Sequence, residues 1–309
     1  MVAYWNWRRQ FRQIRADFKR TLGMEDSVTM NSNINTPAEA IEANINAGAG
    51  KANLPLGKMI LLGIMAGAFI AIGGASSNVS VHSMADVGLA RTLAGCIFPV
   101  GLMMIVLVGG ELFTGNCLMM MGVLDKKIKG LQMLRNLVVV YLSNLVGALI
   151  VDVLVFYSGQ FDYTGGALGA YTIKVALTKA NISFGKGFTS GIMCNILVCG
   201  AILAAAAAKD VTGKIFACFF PILAFVAAGY EHCVANMYYI PAGILAATKA
   251  EYVTKAEELY GITAAQYEAL SVSGMLRNLL PVTLGNIVGG SVCLGCLCYF
   301  IYRKNWTHK

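Results

Sequence analysis

Charged residues are scarce in this sequence. They make up 13% of the 309 residues, whereas apolar residues make up 57%, and the mean hydropathy is +0.64. Soluble domains contain about 25% charged residues, so the composition excludes an ordinary water-soluble enzyme or binding module. Proline is also rare, with six residues, and there is no low-complexity stretch, which excludes a disordered or collagen-like chain. The composition is that of an integral membrane protein.

The sequence also lacks the motifs of covalent, phosphate-binding and metal-dependent catalysis. It has no Ser–His–acid order with a nucleophile elbow, no phosphate-binding loop and no zinc motif. All nine cysteines fall within apolar tracts, even the closely spaced Cys293 and Cys296. In a lipid-spanning helix cysteine usually serves as a small apolar residue. We therefore predict a protein that is not an enzyme and that uses no cofactor or metal ion.

Six apolar tracts predict six membrane spans after a polar first 56 residues. They lie near residues 57–75, 92–124, 133–157, 188–208, 214–248 and 276–302. A helix as long as the second tract would extend about 50 Å, against a hydrocarbon core of about 30 Å. The second and fifth tracts are therefore too long for one straight span. Each contains a polar cluster, at 111–116 and at 231–236, so we predict that both helices are broken there.

The chain repeats itself. The residues Leu-Arg-Asn-Leu at 134–137 recur at 276–279, and Asn144 and Asn286 follow at the same distance. The two polar clusters match as well. These matches predict two units of three spans, and because three is odd the second unit is inverted relative to the first. Inverted repeats with interrupted helices are a common way to build a substrate path at the bilayer midplane.

The charged ends of the chain predict its orientation. Residues 1–35 form a basic extension whose aromatic residues recur at helical spacing, which favours an amphipathic helix on anionic lipid over a solvated tail or a nucleic-acid-binding arm. Residues 36–303 are the predicted six-span transport domain, and 304–309 a cytoplasmic tail. Most Lys and Arg residues fall on the side of the termini, so the positive-inside bias places both termini in the cytoplasm. No apolar stretch marks a cleavable signal peptide.

Two capping patterns predict helices outside the spans. Thr36, Pro37 and Glu39 have the spacing of a capping box with proline at the first helical position, and predict a helix to about residue 49. Thr263 and Gln266 repeat the pattern in the polar insert 249–275, where we expect a short surface helix outside the membrane.

The two predicted breaks bring polar side chains toward one central point. Thr114 and Asn116 belong to the first break, and His232 and Asn236 to the second. Ionisable groups inside a membrane are costly, so His232, the one histidine within an apolar tract, is a candidate to protonate a weak-acid anion or to donate a hydrogen bond to it. A hydrogen-bonded core histidine is the alternative.

Other residues of these segments have simpler interpretations from spacing alone. Glu111 and Glu231 are interpreted as structural, bonding the broken backbone or pairing with a lysine. Lys179 resembles an ordinary loop lysine before the fourth span. The large apolar residues on the broken helices are most simply core, namely Phe98, Leu102, Leu112 and Phe225.

Three motifs resemble the formate–nitrite transporter family. They are Glu-Leu-Phe-Thr-Gly-Asn at 111–116, Gly-Ile-Met-Cys-Asn-Ile-Leu-Val at 191–198 and Gly-Tyr-Glu-His-Cys-Val-Ala-Asn-Met at 229–237, and the likeness spans about residues 36–303. The resemblance implies an aquaporin-like all-α fold with six spans in two inverted repeats. It also implies a homopentamer in the lipid bilayer with one pore in each protomer.

The resemblance also implies roles for single residues. Thr114 and His232 match the threonine of the second-helix loop and the central histidine of the family, and Asn195 matches the asparagine that bonds this histidine. Lys179 matches the vestibule lysine, which would concentrate anions at the outer mouth. The apolar residues that spacing alone assigns to the core would instead line the constrictions of the pore, namely Phe98, Leu102, Leu112 and Phe225.

The resulting expectation is a transporter of small monovalent anions, formate first and nitrite second. The resemblance suggests proton-coupled flux at low external pH and channel-like flux above it. Hydrosulfide and short-chain carboxylates are alternative substrates on the same fold. A neutral-solute pore of the aquaporin type is another alternative, although the paired Asn-Pro-Ala motifs are missing. A membrane scaffold that recruits a partner through its basic arm is the third.

Overall fold

A computed structural model describes residues 34–303 of the chain, and these residues are almost entirely helical. The basic extension up to residue 33 and the tail 304–309 lie outside the described residues, so the amphipathic helix expected in the extension stays a prediction. The α-helices in chain order are α1 (Pro37–Ala52), α2 (Leu56–Val81), α3 (Val87–Ile97), α4 (Val100–Val108), α5 (Phe113–Asn116), α6 (Met119–Leu124), α7 (Gly130–Tyr157), α8 (Ala167–Ala180), α9 (Phe184–Ala207), α10 (Val211–Ala228), α11 (Cys233–Ala246), α12 (Ala250–Tyr260), α13 (Val272–Ile287) and α14 (Leu297–Tyr302).

Six helical segments in the described part of the chain are long and apolar enough to cross a membrane. They are Leu56–Val81, Val87–Val108, Gly130–Tyr157, Phe184–Ala207, Val211–Ala228 and Val272–Tyr302. The prediction of an all-α membrane protein with six spans is therefore confirmed. The sixth span contains a π-helix, Val288–Cys296, between α13 and α14.

The second and fifth apolar tracts both leave the helical conformation at their polar clusters. The second bends at Pro99, between α3 and α4, and stops at Val108; Gly109 then takes a positive φ of 108° before α5 begins at Phe113. In the fifth, α10 passes through Pro221 and ends where Gly229 adopts a left-handed φ of 74°. Glycine adopts such values without the strain that a side chain would add.

Both predicted capping boxes are present. Thr36 Oγ1 accepts the Glu39 N–H while the Glu39 carboxylate accepts the Thr36 N–H, and α1 runs to Ala52, three residues beyond the prediction. In the insert, Thr263 caps a short 3₁₀ helix, Ala264–Ala269, which follows α12. The sequence pattern therefore identified the helix starts correctly, because capping depends on residues only three positions apart.

Helix α8 was not predicted, because its sequence is neither apolar enough for a span nor strongly amphipathic. Its buried face consists mainly of small residues, and it packs against α11 and α12. A Cβ at Gly169 would overlap the ring of Tyr252 in α12, so the glycine allows the two helices to approach closely. The packing that stabilises α8 comes from residues about 80 positions away in the sequence, which no local pattern reports.

Small residues also bring the spans together in matching pairs. Span α2 packs on α7, where a Cβ at Gly67 would overlap the backbone of Asn144. Span α9 packs on α13, where a Cβ at Gly285 would overlap the carbonyl group of Phe188. Apolar surface is not driven together inside lipid, so close van der Waals contact of this kind supplies much of the association. Both pairs hold an asparagine at the level of a helix break.

Candidate functional site

The first helix break is held by one buried asparagine of span α7. The Asn144 amide donates to the carbonyl oxygens of Gly63 at 2.8 Å and Glu111 at 2.9 Å, and its Oδ1 accepts the Phe113 N–H at 3.0 Å. A break exposes backbone groups that lipid cannot hydrogen-bond, so protein groups must satisfy them. Asn144 therefore makes the extended segment before α5 possible inside the membrane.

The second break has the same arrangement in the other half of the chain. The Asn286 amide donates to the carbonyl oxygens of Gly191 at 2.8 Å and Glu231 at 3.0 Å, and its Oδ1 accepts the Cys233 N–H at 2.9 Å. The sequence repeat that pairs Asn144 with Asn286 is thus a repeat of hydrogen-bonding partners. The inverted relation of the two halves stays a prediction.

A buried carboxylate in each break pairs with a lysine, which was one of the two structural roles considered for these residues. In the first break Glu111 accepts from Lys51 Nζ at 2.8 Å and from the Asn116 amide at 2.6 Å. The Asn116 amide also donates to the Asn136 side chain at 2.7 Å. The carboxylate therefore ties helix α1, which carries Lys51, to the half-helix that follows the break.

The second break repeats this network. Glu231 accepts from Lys179 Nζ at 3.0 Å and from the Asn236 amide at 2.6 Å, and Asn236 also donates to the Asn278 side chain at 2.7 Å. Lys179 lies in the last turn of helix α8, and Lys51 lies in the last turn of α1. The predicted vestibule lysine is thus an ion-pair partner of the break as well as a cation.

Sequence reasoning missed Lys51, although a signal for it was present. The triplet Lys-Ala-Asn at 51–53 recurs at 179–181. Lys51 precedes Gly63 by twelve residues, and Lys179 precedes Gly191 by the same number. Gly-Ile-Met at 63–65 also recurs at 191–193, so extending the repeat upstream from this match would have identified Lys51.

His232 and Thr114 meet at the centre, between the two breaks. His232 is 2% exposed, and its Nε2 lies 2.9 Å from Thr114 Oγ1. Its Nδ1 accepts the N–H of Ala235 at 3.0 Å and so caps helix α11. Because Nδ1 is an acceptor here, a neutral imidazole carries its proton on Nε2 and donates it to the threonine. The Thr114 hydroxyl hydrogen then has no acceptor among the described residues and is free for a ligand.

Asn195 lies beside this pair and acts on the threonine rather than on the histidine. Its amide donates to the carbonyl oxygens of Thr114 at 3.1 Å and Asn286 at 2.6 Å. Both N–H groups are thereby used, so the expected bond from Asn195 to the imidazole is replaced by a bond to the Thr114 backbone. A Cβ at Gly290 would overlap this amide, so the glycine in the π-helix makes room for it.

Two cavities approach this centre from different sides, and they share no lining residue. The Lys179 cavity, of about 400 Å³, is lined by Lys179, Glu231 and His232 together with Phe98 and Phe225. The Lys51 cavity, of about 150 Å³, is lined by Lys51 and Leu112 among others. Within residues 34–303 no group of three or more His, Cys, Asp or Glu side chains is placed to hold a metal ion.

Apolar side chains surround the centre. Phe98 and Phe225 meet edge to face with ring centroids 5.5 Å apart, and Phe225 stacks on the His232 ring at 5.9 Å. Leu112 is 3% exposed and faces the Lys51 cavity, whereas Leu102 is buried and lines neither cavity. The arrangement is a polar pair held in an apolar wall, with one lysine-containing cavity on each side.

Comparisons with known proteins place this architecture among relatives of one family. The model of the family described as "Formate/nitrite transporter" matches residues 38–300. A probable formate transporter of Methanothermobacter thermautotrophicus is 39% identical over 293 residues, which is 89% of this chain and all of that protein. The formate channel FocA of Haemophilus influenzae is 37% identical, covering 87% of this chain and 95% of its own length.

Solved structures agree with the sequence relatives. A structure described as a pentameric formate channel with formate bound has a TM-score of 0.70 and 35% identity, covering 81% of this chain and 98% of that chain. An ion channel of the same family has a TM-score of 0.72 and 30% identity, covering 85% of this chain and 98% of its own.

Proposed function

The chain belongs to the formate/nitrite transporter family, and we propose that it carries formate, and less readily nitrite, across the cytoplasmic membrane as a homopentamer with one pore in each protomer. The support comes from relatives described as formate channels and transporters and from a pentameric structural neighbour with formate bound. Orientation follows from the charge bias: the Lys179 cavity faces outward, the Lys51 cavity inward, and both termini lie in the cytoplasm. Residues 36–303 form the transport domain.

One observation carries the proposal: the His232–Thr114 pair is buried in an apolar wall between two cavities that each contain a lysine. The excess of cations in the Lys179 cavity attracts an anion into it. The wall then opposes its passage, because a bare charge in a low-dielectric surrounding is very costly. Formate is a weak acid, and protonation removes that cost. We therefore infer that formate crosses the wall as formic acid, with hydrogen bonds to His232 Nε2 and the Thr114 hydroxyl.

The hydrogen bonds of His232 restrict how it takes part in proton movement. Giving up the Nε2 proton alone would leave an imidazolate anion in the apolar wall, which is unfavourable. The ring must therefore gain a proton on Nδ1 first, and that breaks the bond from the Ala235 N–H. His232 is thus a neutral donor at rest and a proton carrier only when this helix cap opens.

The test is formate uptake into proteoliposomes as a function of external pH, with His232→Asn as the variant. Asparagine keeps a donor in the wall but cannot take up a proton. At a constant formate concentration, we expect the uptake rate of the wild type to rise as the external pH falls. We expect the variant to lose this pH dependence while retaining some flux. An unchanged pH profile in the variant would overturn the role of His232.

A control in the same vesicles separates this function from a neutral-solute pore. Stopped-flow swelling with glycerol and with water should show no conductance above that of protein-free vesicles. Rapid swelling without formate uptake would overturn anion transport and favour the aquaporin-type alternative. Parallel uptake of nitrite, hydrosulfide and acetate ranks the substrates within the anion class.

A further inference from the structure

The wall of the Lys179 cavity carries three cations, and they differ in their partners. Lys179 is paired with Glu231 at 3.0 Å, and Lys174 Nζ lies 4.4 Å from the centre of the Tyr260 ring. Arg91 has no hydrogen bond and no carboxylate partner among residues 34–303. An unpaired guanidinium in a cavity is available to bind a group from outside the protomer.

The position of Arg91 directs it toward the path to the constriction. It lies on α3, seven positions before Phe98, the residue that follows the helix, and this separation corresponds to about 10 Å along the helix axis; both residues line the cavity. Its guanidinium packs against Gly229 in the second break, where a Cβ would overlap Nη1. The absent side chain of Gly229 thus makes room for the guanidinium.

We propose that Arg91 is a binding site for planar oxyanions in the Lys179 cavity, which an anion occupies before it reaches the Phe98–Phe225 wall. The guanidinium is a rigid planar fork whose parallel N–H groups match the two oxygens of a carboxylate. Formate and nitrite both present two such oxygens, whereas hydrosulfide presents one sulfur atom. Arg91 therefore favours formate and nitrite over hydrosulfide, and this inference rests on the proposed transport of anions.

The charges of the two cavities agree with this assignment. The Lys179 cavity has three cations in its wall against the single carboxylate of Glu231. In the Lys51 cavity the one lining cation is already paired with Glu111 at 2.8 Å. An excess of positive charge raises the local concentration of any anion, but it does not distinguish planar oxyanions from hydrosulfide. Only the fork of Arg91 supplies that distinction, because a lysine ammonium acts as a point charge.

The experiment measures concentration dependence of uptake for formate and for hydrosulfide, with the anions added on the side of the Lys179 cavity. Arg91→Lys keeps the charge and removes the fork. We expect the KM for formate to rise by about tenfold, which corresponds to one charge-assisted hydrogen bond, and the KM for hydrosulfide to stay unchanged. Arg91→Gln removes the charge as well and should raise both constants. Lys174→Gln is the matched control, because it lowers the cavity charge without a fork and should affect both anions equally.

Two results would overturn the inference. One is a formate KM in Arg91→Lys equal to that of the wild type. The other is an equal rise for formate and hydrosulfide, which would show that Arg91 acts through its charge alone. Unchanged hydrosulfide uptake in the same preparation shows that the variant is folded.

A binding measurement keeps this inference separate from the proposed function. Line broadening of ¹³C-formate by the detergent-solubilised pentamer reports weak binding without transport. We expect broadening by the wild type that nitrite reverses and hydrosulfide does not, and much weaker broadening by Arg91→Lys. If broadening follows this pattern while vesicles show no formate flux, the site stands and the proposed function fails. Broadening that is equal in the variant overturns the site.

Discussion

The two helix breaks share one framework and differ in the residue that precedes each half-helix. Leu112 and His232 each follow a buried glutamate and precede a half-helix, with nearly equal backbone angles of φ −106°, ψ 123° and φ −115°, ψ 116°. His232 caps its half-helix through Nδ1, whereas Leu112 makes no side-chain cap. Two positions later the first break has Thr114 where the second has Val234. A repeated scaffold thus builds a centre that is not symmetric.

This difference separates what the fold requires from what the proposed transport requires. Both breaks need an asparagine to satisfy their backbone, since lipid cannot do so. In both, a carboxylate paired with a lysine ties a neighbouring helix to the half-helix. The second break supplies His232 and the first supplies Thr114, and these two side chains make a single contact. The two breaks therefore need not carry the same residues at these positions. Substituting equivalent residues of the two breaks therefore tests which residues stabilise the fold and which serve the proposed transport.

The largest effect is expected from removing the asparagine that holds each break. Asn144→Leu and Asn286→Leu each lose three buried hydrogen bonds and leave backbone groups unsatisfied. We expect each variant to lose about 3 kcal/mol or more of stability, by similar amounts, measured as thermal unfolding in detergent. Asn53→Ala, at an exposed helix end, is the control and should change little. A large loss in one variant only would show that the two frameworks are not equivalent.

A smaller and unequal effect is expected at the two lysines. Lys179 and Lys51 pair with equivalent carboxylates, but their side chains are 16% and 30% exposed. Removing one partner of a buried pair leaves an uncompensated charge, and water relieves that cost where it has access. We expect Lys179→Met to cost about 2 kcal/mol and Lys51→Met less, measured by the same unfolding assay.

The double variants Lys179→Met/Glu231→Gln and Lys51→Met/Glu111→Gln check the cause. Each should recover part of the loss, because the remaining carboxylate is neutralised. The explanation by burial is contradicted if Lys51→Met is the more harmful single change.

The smallest effect on stability is expected from removing the ion pairs that anchor helix α1. Glu42 of α1 pairs with Lys127 at 2.8 Å and with Arg303 at 2.7 Å, and Arg303 donates to Asp125 at 3.0 Å. The Arg303 guanidinium holds the pKa of Asp125 below its usual value, and Lys127 does the same for the pKa of Glu42. Helix α8 is anchored differently, by the buried ring of Tyr252 against Gly169.

The ion-pair anchor of α1 therefore has a predictable pH dependence. A carboxylate whose pKa is lowered in the folded state stabilises it above the unfolded pKa near 4, and this contribution is lost as the pH falls through the lower folded value. We expect Asp125→Asn to reduce Tm slightly at pH 7 and not at all in strong acid, and 1 M salt to shrink the difference. Glu268→Gln, at a carboxylate outside any ion pair in residues 34–303, serves as control. A difference that persists in acid would contradict an electrostatic anchor.

Much of the fold was predictable because its signals are local. The six spans follow from runs of apolar residues, the breaks from polar clusters within those runs, and the starts of α1 and the 3₁₀ helix from residues three positions apart. Helix α8 was missed because its stabilising contacts with α11 and α12 are distant in sequence. Lys51 was missed although its signal was present, since the repeat was not extended upstream.

The sequence named the residues of the candidate site but not their contacts. His232 and Thr114 were named from their place in the breaks and from the family motif. The partner of Asn195 differed from the expectation, because its amide can reach two carbonyl oxygens and has only two N–H groups. Nothing in the sequence distinguishes Arg91 from other arginines, because a sequence does not show which side chains lack a partner.

The sequence by itself determined the membrane class, the number of spans, the places where two helices break and the repeat that relates them. These properties depend on composition and on spacing within a segment. Only the tertiary structure decided that His232 Nδ1 caps a helix while Nε2 meets a threonine 118 positions away, and that Arg91 stays unpaired beside Gly229. The physical reason is that a hydrogen bond or an ion pair extends only about 3–4 Å, and the packing of distant helices sets which groups come within that reach.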